Sequence, residues 1–274
     1  PMTVLNEDAR FLTTPISADE ARLVRDSWFN ALTRPGNYQN AAISLNTGSK
    51  NGTTYMNANF RQSQDNIISN DNKQMNFRVN SDYKVTKAIN IGAKIHFSRA
   101  VQNNNETSIY MTRRVPWQPV YYSLDPERTG YWNPHNNPLT TRDTKYRQLM
   151  SDNMRVLGGL YAEIALPFLK GLALRTEYNM NVSVANTTDW RSALVNPVTV
   201  SEAGSTATEQ SITAQKQNAN AYFKYNNTFG KHAVSGVVGV ESETDDAYIR
   251  LASGKNLTTE YPQLGTTPGI LTSG

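Results

Sequence analysis

The side chains best equipped for chemistry are few in this chain, and their spacing serves catalysis poorly. Histidine occurs only as His96, His135 and His232, far apart along the sequence. Cysteine is absent, which excludes a thiolate metal site, a cysteine nucleophile and a disulfide framework. Gly48-Ser49-Lys50-Asn51-Gly52-Thr53 has the composition of a phosphate loop. It lacks the Gly-x-x-x-x-Gly-Lys-Ser/Thr spacing that wraps backbone amides around phosphates, and reads as a polar hairpin turn. Asp125-Pro126-Glu127 supplies carboxylates without the regularly spaced oxygen ligands of a calcium loop, and reads as a solvated turn. Glu163 and Glu177 could work as an acid–base pair of the glycosidase kind. Arg155 and Arg175 accompany them at the same strand parity, so the set reads as a charge ladder. The expectation is no catalytic residue, no metal and no cofactor: the chain is not read as an enzyme.

The chemistry that remains is recognition. Residues 100–150 hold Trp117, Tyr121, Tyr122, Tyr131, Trp132 and Tyr146 beside Arg113, Arg114 and Arg128. Aromatic faces pack on the apolar faces of sugars and on peptide side chains, and guanidinium groups add planar donors. Arg113, Arg114, Trp117, Tyr121, Tyr122 and Trp132 are therefore candidate ligand contacts. Trp190, expected in the next long loop, joins them. Packing of these aromatics against neighbouring segments is the competing explanation.

The elements that must position such loops are strands. Met75, Phe77, Val79, Tyr83 and Val85 alternate with Gln74, Asn76, Arg78, Asn80, Asp82 and Lys84. After Thr86-Lys87-Ala88 the alternation restarts, with Ile89, Ile91, Ala93, Ile95 and Phe97 against Asn90, Gly92, Lys94, His96 and Ser98. Period two sends every apolar residue to one face. Crossing a bilayer as a tilted strand takes roughly 9–11 residues, and both segments are long enough. Similar strands are expected near 38–46, 54–60, 153–166, 172–184, 219–225 and 234–240, about eight in all, a number that could still close a small barrel. A short helix is expected near 18–32, where Ser17 and Glu20 make a capping box.

The connections alternate in length. Turns 47–52, 86–88, 167–171 and 228–231 are short, whereas 62–72, 100–150 and 186–211 are longer. Outer-membrane barrels have short periplasmic turns and long extracellular loops. The parity therefore puts the short turns in the periplasm, and segments 1–36 and 243–274 outside with the long loops. The wet inner face of such a wall would carry Arg78, Lys94, Arg155, Glu163, Arg175 and Glu177 as lumen-facing charges. Bulk properties agree with this class. The 274 residues are 38% hydrophobic with a net charge of +4, and the mean hydropathy is −0.57. No apolar run approaches the roughly 18 residues of a membrane helix, a limit that does not apply to barrel strands. The basic residues are scattered, so no nucleic-acid partner is expected.

Trp28-Phe29-Asn30-Ala31-Leu32-Thr33-Arg34-Pro35-Gly36, followed by Asn40-Ala41-Ala42-Ile43-Ser44-Leu45-Asn46, resembles the early barrel of SusC/RagA-type TonB-linked outer-membrane transporters. Thr47-Gly48 stands where that family has Gly-Gly. Asn76 to Val85, Ile91 to Ile95, Arg155 to Gly158, Leu169 to Arg175 and Phe229-Gly230-Lys231-His232 continue the likeness in order, so it covers about 28–243. The resemblance implies a nutrient importer in the outer membrane of a Gram-negative, Bacteroidetes-type bacterium. Its barrel has about twenty-two strands and a plugged lumen. It implies an oligosaccharide or peptide ligand, a SusD-like surface lipoprotein partner, contact with outer-membrane lipid, and coupling to TonB through a plug region. No counterpart of the plug or TonB box occurs in these residues. The chain is thus expected to be an internal, all-β segment: an antiparallel transmembrane β-barrel wall over 37–243, forming an open curved sheet. The flanking regions 1–36 (with the short helix) and 244–274 are expected as extracellular loops. Two alternatives stand beside this reading. One is a complete eight-stranded barrel acting as a structural protein or adhesin. The other is a soluble β-rich carbohydrate-binding protein, in which Met75, Phe77, Ile91 and Ile95 would lie under a second layer.

Overall fold

The computed structural model describes residues 28–104, 137–193 and 204–257 together with the strand backbone of 270–273. After a one-turn helix α1 (Trp28–Leu32) the described chain is almost wholly β. The strands are β1 (Asn37–Gly48), β2 (Gly52–Gln64), β3 (Asn70–Lys84), β4 (Ile89–Asn104), β5 (Arg147–Ala165), β6 (Leu172–Arg191), β7 (Thr206–Phe229), β8 (His232–Lys255) and β9 (Ile270–Ser273). They form one antiparallel sheet in strict chain order. Each strand pairs with its predecessor because short connections make sequential antiparallel neighbours the accessible ones.

Directly paired residues of an antiparallel ladder project to the same face. Phe77 pairs with Phe97, Phe97 with Val156 and Val156 with Val182. Leu174 pairs with Phe223, and Phe223 with Val238. One face is thus a continuous apolar band, and it is open to its surroundings: Phe77 is 44% exposed, Ile95 48% and Val240 75%. No second layer covers the band among the described residues, which tells against the soluble alternative. In water such a surface is costly, and in a hydrocarbon layer each such side chain gains on the order of 1.5–3 kcal/mol.

The sheet is also open. Its order runs from β1 to β9, and those two end strands do not pair with each other. A complete small barrel would need that pairing, so the closed eight-stranded alternative is set aside. Among the described residues the wall has the expected eight long strands, with the four-residue β9 added at one edge.

Strands run further than the sequence pattern predicts. β6 continues to Arg191 and β8 to Lys255, so 244–255 is strand and not loop. The expected loop 62–72 contracts to 65–69, between β2 and β3. The excess lies at the strand ends joined by 65–69, 105–146, 192–205 and 256–269 in sequence; turns 49–51, 85–88, 166–171 and 230–231 join the opposite ends. Gly171 adopts φ +90° in the turn before β6, a conformation that disfavours any side chain there.

Among the described residues, buried apolar packing is found at the long-connection end. Trp28 and Leu32 of α1 pack with Leu139, and with Ala31 and Ile68 at the edge of the cluster. The helix is tied to the 65–69 hairpin by Ile68 N–H donating to the Leu32 carbonyl at 3.2 Å and Arg34 N–H to that of Asn66 at 2.7 Å. An Arg34–Asp71 ion pair at 2.6 Å adds to the joint.

Candidate functional site

The face opposite the apolar band is mostly polar. Its side chains fall into registered rows across β3 to β8. One row is Arg78, His96, Leu157, Asn181, Lys216 and Asp245; the next is Asn80, Lys94, Gly159, Asn179, Asn218 and Glu243. Arg155 pairs with Ser98, and Glu163 with Arg175. All six charges expected on the wet face (Arg78, Lys94, Arg155, Glu163, Arg175 and Glu177) therefore share this side of the sheet. They belong to two zones of different character.

Near the short turns the charges are closed on themselves. The Tyr161 ring of β5 lies over Gly92 of β4, where a Cβ would collide with it. Its hydroxyl donates to Asp82 of β3. The Arg175 guanidinium of β6 stacks on the same ring, 4.0 Å from its centroid. Arg175 Nε also donates to Glu177 Oε1 at 2.5 Å, and Nη1 to Glu163 Oε2 at 3.2 Å. A stacked cation of this kind is worth about 0.5–1 kcal/mol when solvated and more when dry. The result is a clasp across four strands in which Arg175 is held by Glu163 and Glu177, and Asp82 by the Tyr161 hydroxyl.

Further along the same face is an open groove of about 540 Å³, lined by Arg78, Lys94, His96, Gly159, Asn181 and Lys216 among others. Here the charged lining residues are cations. Arg155 Nε donates to the neutral Asn181 Oδ1 at 2.9 Å. Lys216 alone of the cations meets an acid, Glu243 at 2.6 Å. Among the described residues, Arg78 and Lys94 have no carboxylate within ion-pair distance. Beyond the clasp, acids of this face also lie on β8, as Glu241, Glu243 and Asp245.

The loop candidates Arg113, Arg114, Trp117, Tyr121, Tyr122 and Trp132 lie outside the described residues. Trp190 is placed differently from expectation. It sits within β6, not in a loop, and is fully buried in a cluster with Ala207 and Leu257. Beside it, Arg147 is 97% buried as a side chain (3% exposed), bonded to Asp189 at 2.5 Å and to the Trp190 carbonyl at 2.9 Å. The indole packs the end of the sheet and is not displayed on a surface. Sequence reasoning missed the clasp made by Asp82, Gly92 and Tyr161. The available signal was a glycine and a tyrosine at polar-parity positions of adjacent strands. No group of acids or histidines able to hold a metal occurs among the described residues.

No family model matches the sequence. The chain is 23% identical over 165 residues to TonB-dependent receptor P26 of Formosa agariphila, covering 58% of this chain and 16% of that receptor. Solved structures with a similar fold include the RagAB peptide transporter, with a TM-score of 0.66 and 16% identity over 90% of this chain and 29% of that one. The RagAB peptide importer in its 'open-open' state gives a TM-score of 0.67 with 14% identity over 90% and 29%. The chain thus spans about a sixth of the curated relative and under a third of each structural neighbour. These similar proteins are a receptor and transporters, and none is an enzyme. The likeness shows the fold: an open stretch of the barrel wall found in those transporters.

Proposed function

We propose that this chain forms part of the wall of a TonB-dependent outer-membrane nutrient importer. The observation that carries the reading is the two-faced sheet: an uncovered apolar band on one side, a charged and amide-rich face on the other, and connection lengths that alternate between its ends. Such a wall faces lipid outward and a wet lumen inward. The similarity to a TonB-dependent receptor and to RagAB supports it. In this role the chain supplies no bond-breaking chemistry. It shapes the lumen, and its long connections reach the extracellular side, where residues 105–136 with Arg113, Arg114, Trp117, Tyr121, Tyr122 and Trp132 would meet an oligosaccharide or peptide. A SusD-like surface lipoprotein would cover that side, and TonB would act through a plug region within the same barrel. The setting is the outer membrane of a Bacteroidetes-type bacterium.

Fractionation and uptake test this together. The protein carrying this sequence should sediment with outer membranes and need detergent for release. It should migrate faster on a gel before heating than after, and support uptake that stops when TonB is removed. Recovery as a monomer in plain buffer without detergent would refute the membrane placement.

A further inference from the structure

We infer that the four short turns form a cationic rim that binds the phosphates of anionic phospholipid headgroups in the leaflet they border. The inference rests on the lipid-facing wall proposed above and goes further, by assigning a headgroup chemistry to one end of that wall.

Each short turn carries one lysine: Lys50 in 49–51, Lys87 in 85–88, Lys170 in 166–171 and Lys231 in 230–231. All four are exposed, and among the described residues none has a carboxylate within ion-pair distance. No aspartate or glutamate occurs in any of these turns. Each of the connections at the opposite end has at least one, as Asp65, Glu106, Glu202 and Glu260. Charge that served only solubility would mix its signs at both ends. Backbone bonds set the turns side by side. Lys84 N–H donates to the Asn51 carbonyl at 2.6 Å, Ala165 N–H to that of Ala88 at 2.7 Å, and Asn226 N–H to that of Gly171 at 2.8 Å. The lysines therefore follow one another along a single rim.

The rim borders the apolar band directly. Tyr83, Ile164 and Phe229 share the band's face by register, lie within two residues of a short turn, and are exposed. Phe168, within 166–171, is 78% exposed. A lysine stem can lie along such apolar surface while its ammonium reaches a phosphate, and aromatic side chains belong at the same depth of a barrel wall. A soluble polyanion would meet the lysines and gain nothing from the apolar collar beside them. A phospholipid meets both, the headgroup on the ammonium and the acyl chains on the band. A lysine close to an anionic lipid surface strengthens association by about fivefold.

The barrel protein carrying this sequence is reconstituted in phosphatidylcholine vesicles with a fluorophore on Ile164→Cys, beside the 166–171 turn. Quenching by chain-brominated phosphatidylglycerol and by chain-brominated phosphatidylcholine gives the relative affinity of the two lipids at that spot. With the native turns, phosphatidylglycerol should be favoured by about fivefold, and less so at high salt. In Lys50→Gln/Lys87→Gln/Lys170→Gln/Lys231→Gln the ratio should fall to near unity, and arginine at the same four positions should retain it. Lys94→Gln, on the inner face, should leave it unchanged. The inference is overturned if the native turns show no preference, if the glutamine variant keeps it, or if Lys94→Gln lowers it as much. It is also overturned if the lipid ratio stays near unity while fluorescein-labelled oligo-glutamate binds the protein in detergent and is lost in the glutamine variant; the lysines then serve a soluble polyanion. If a heat-modifiable barrel inserts without the preference, only the lipid assignment falls. If no such barrel inserts, the importer reading falls with it.

Discussion

The clasp and the groove lie on one face of one sheet, built from the same strands, yet they handle charge in opposite ways. In the clasp, Asp82, Tyr161, Glu163, Arg175 and Glu177 satisfy each other across β3 to β6. In the groove, Arg78 and Lys94 meet no carboxylate among the described residues, and beside it Arg155 donates to the amide oxygen of Asn181. The difference is in the neighbours and not in the residue types. A wall that needed charge only for wetting would pair it, as the clasp does. The clasp is thus closed by its own side chains, whereas the groove leaves Arg78 and Lys94 without a carboxylate among the described residues.

Substitutions should separate the clasp from the apolar band. The largest effect is expected on the band. Ile95→Arg places a cation in the middle of the apolar run of β4 and should destabilise the barrel by about 2–4 kcal/mol, read as urea unfolding in detergent by tryptophan fluorescence. Next is the clasp: Gly92→Val forces the Tyr161 ring off its seat and should cost about 1–3 kcal/mol, as overpacking does. If Gly92→Val leaves the midpoint unchanged, the ring is not held where the structure has it. Tyr161→Phe keeps the stack and loses only the hydroxyl donated to Asp82, for a smaller cost of about 0.5–1.5 kcal/mol. The smallest effect belongs to Arg99, which is ion-paired to Asp152 at 2.6 Å on the solvated stretch beyond Phe97. Arg99→Gln should leave the unfolding midpoint within error, because exposed pairs are screened by water and salt.

The alternation at 73–97 was readable because each strand there has one apolar face along its length. Where it failed, the physics differs. Beyond the apolar band, β7 turns Gln217, Gln215 and Thr213 to the outer face while Lys216 and Ala214 face inward, and β8 does the same with Ser242, Thr244 and Asp246. With both faces polar, period two vanishes although the backbone ladder continues, so the strand ends read as loop. Trp190 was misplaced for this reason: the strand around it carries Thr187, Thr188, Asp189 and Arg191. Its burial depends on Ala207 and Leu257, which no local pattern connects to it. The wet-face charges could be read from parity alone. Their division into clasp and groove could not, because it depends on which strands lie side by side and in what register.

The central claim is that the even and odd positions of these strands face different solvents. The chain has no cysteine, so a nitroxide can be placed singly at each position from Ile89→Cys to Ser98→Cys in the membrane-embedded protein. Collision with oxygen, which is concentrated in lipid, and with a water-soluble nickel chelate would then be measured site by site. The account predicts oxygen maxima at 89, 91, 93, 95 and 97 and chelate or protein-contact signals at 90, 92, 94, 96 and 98. No alternation, or alternation with the phases reversed, would contradict it.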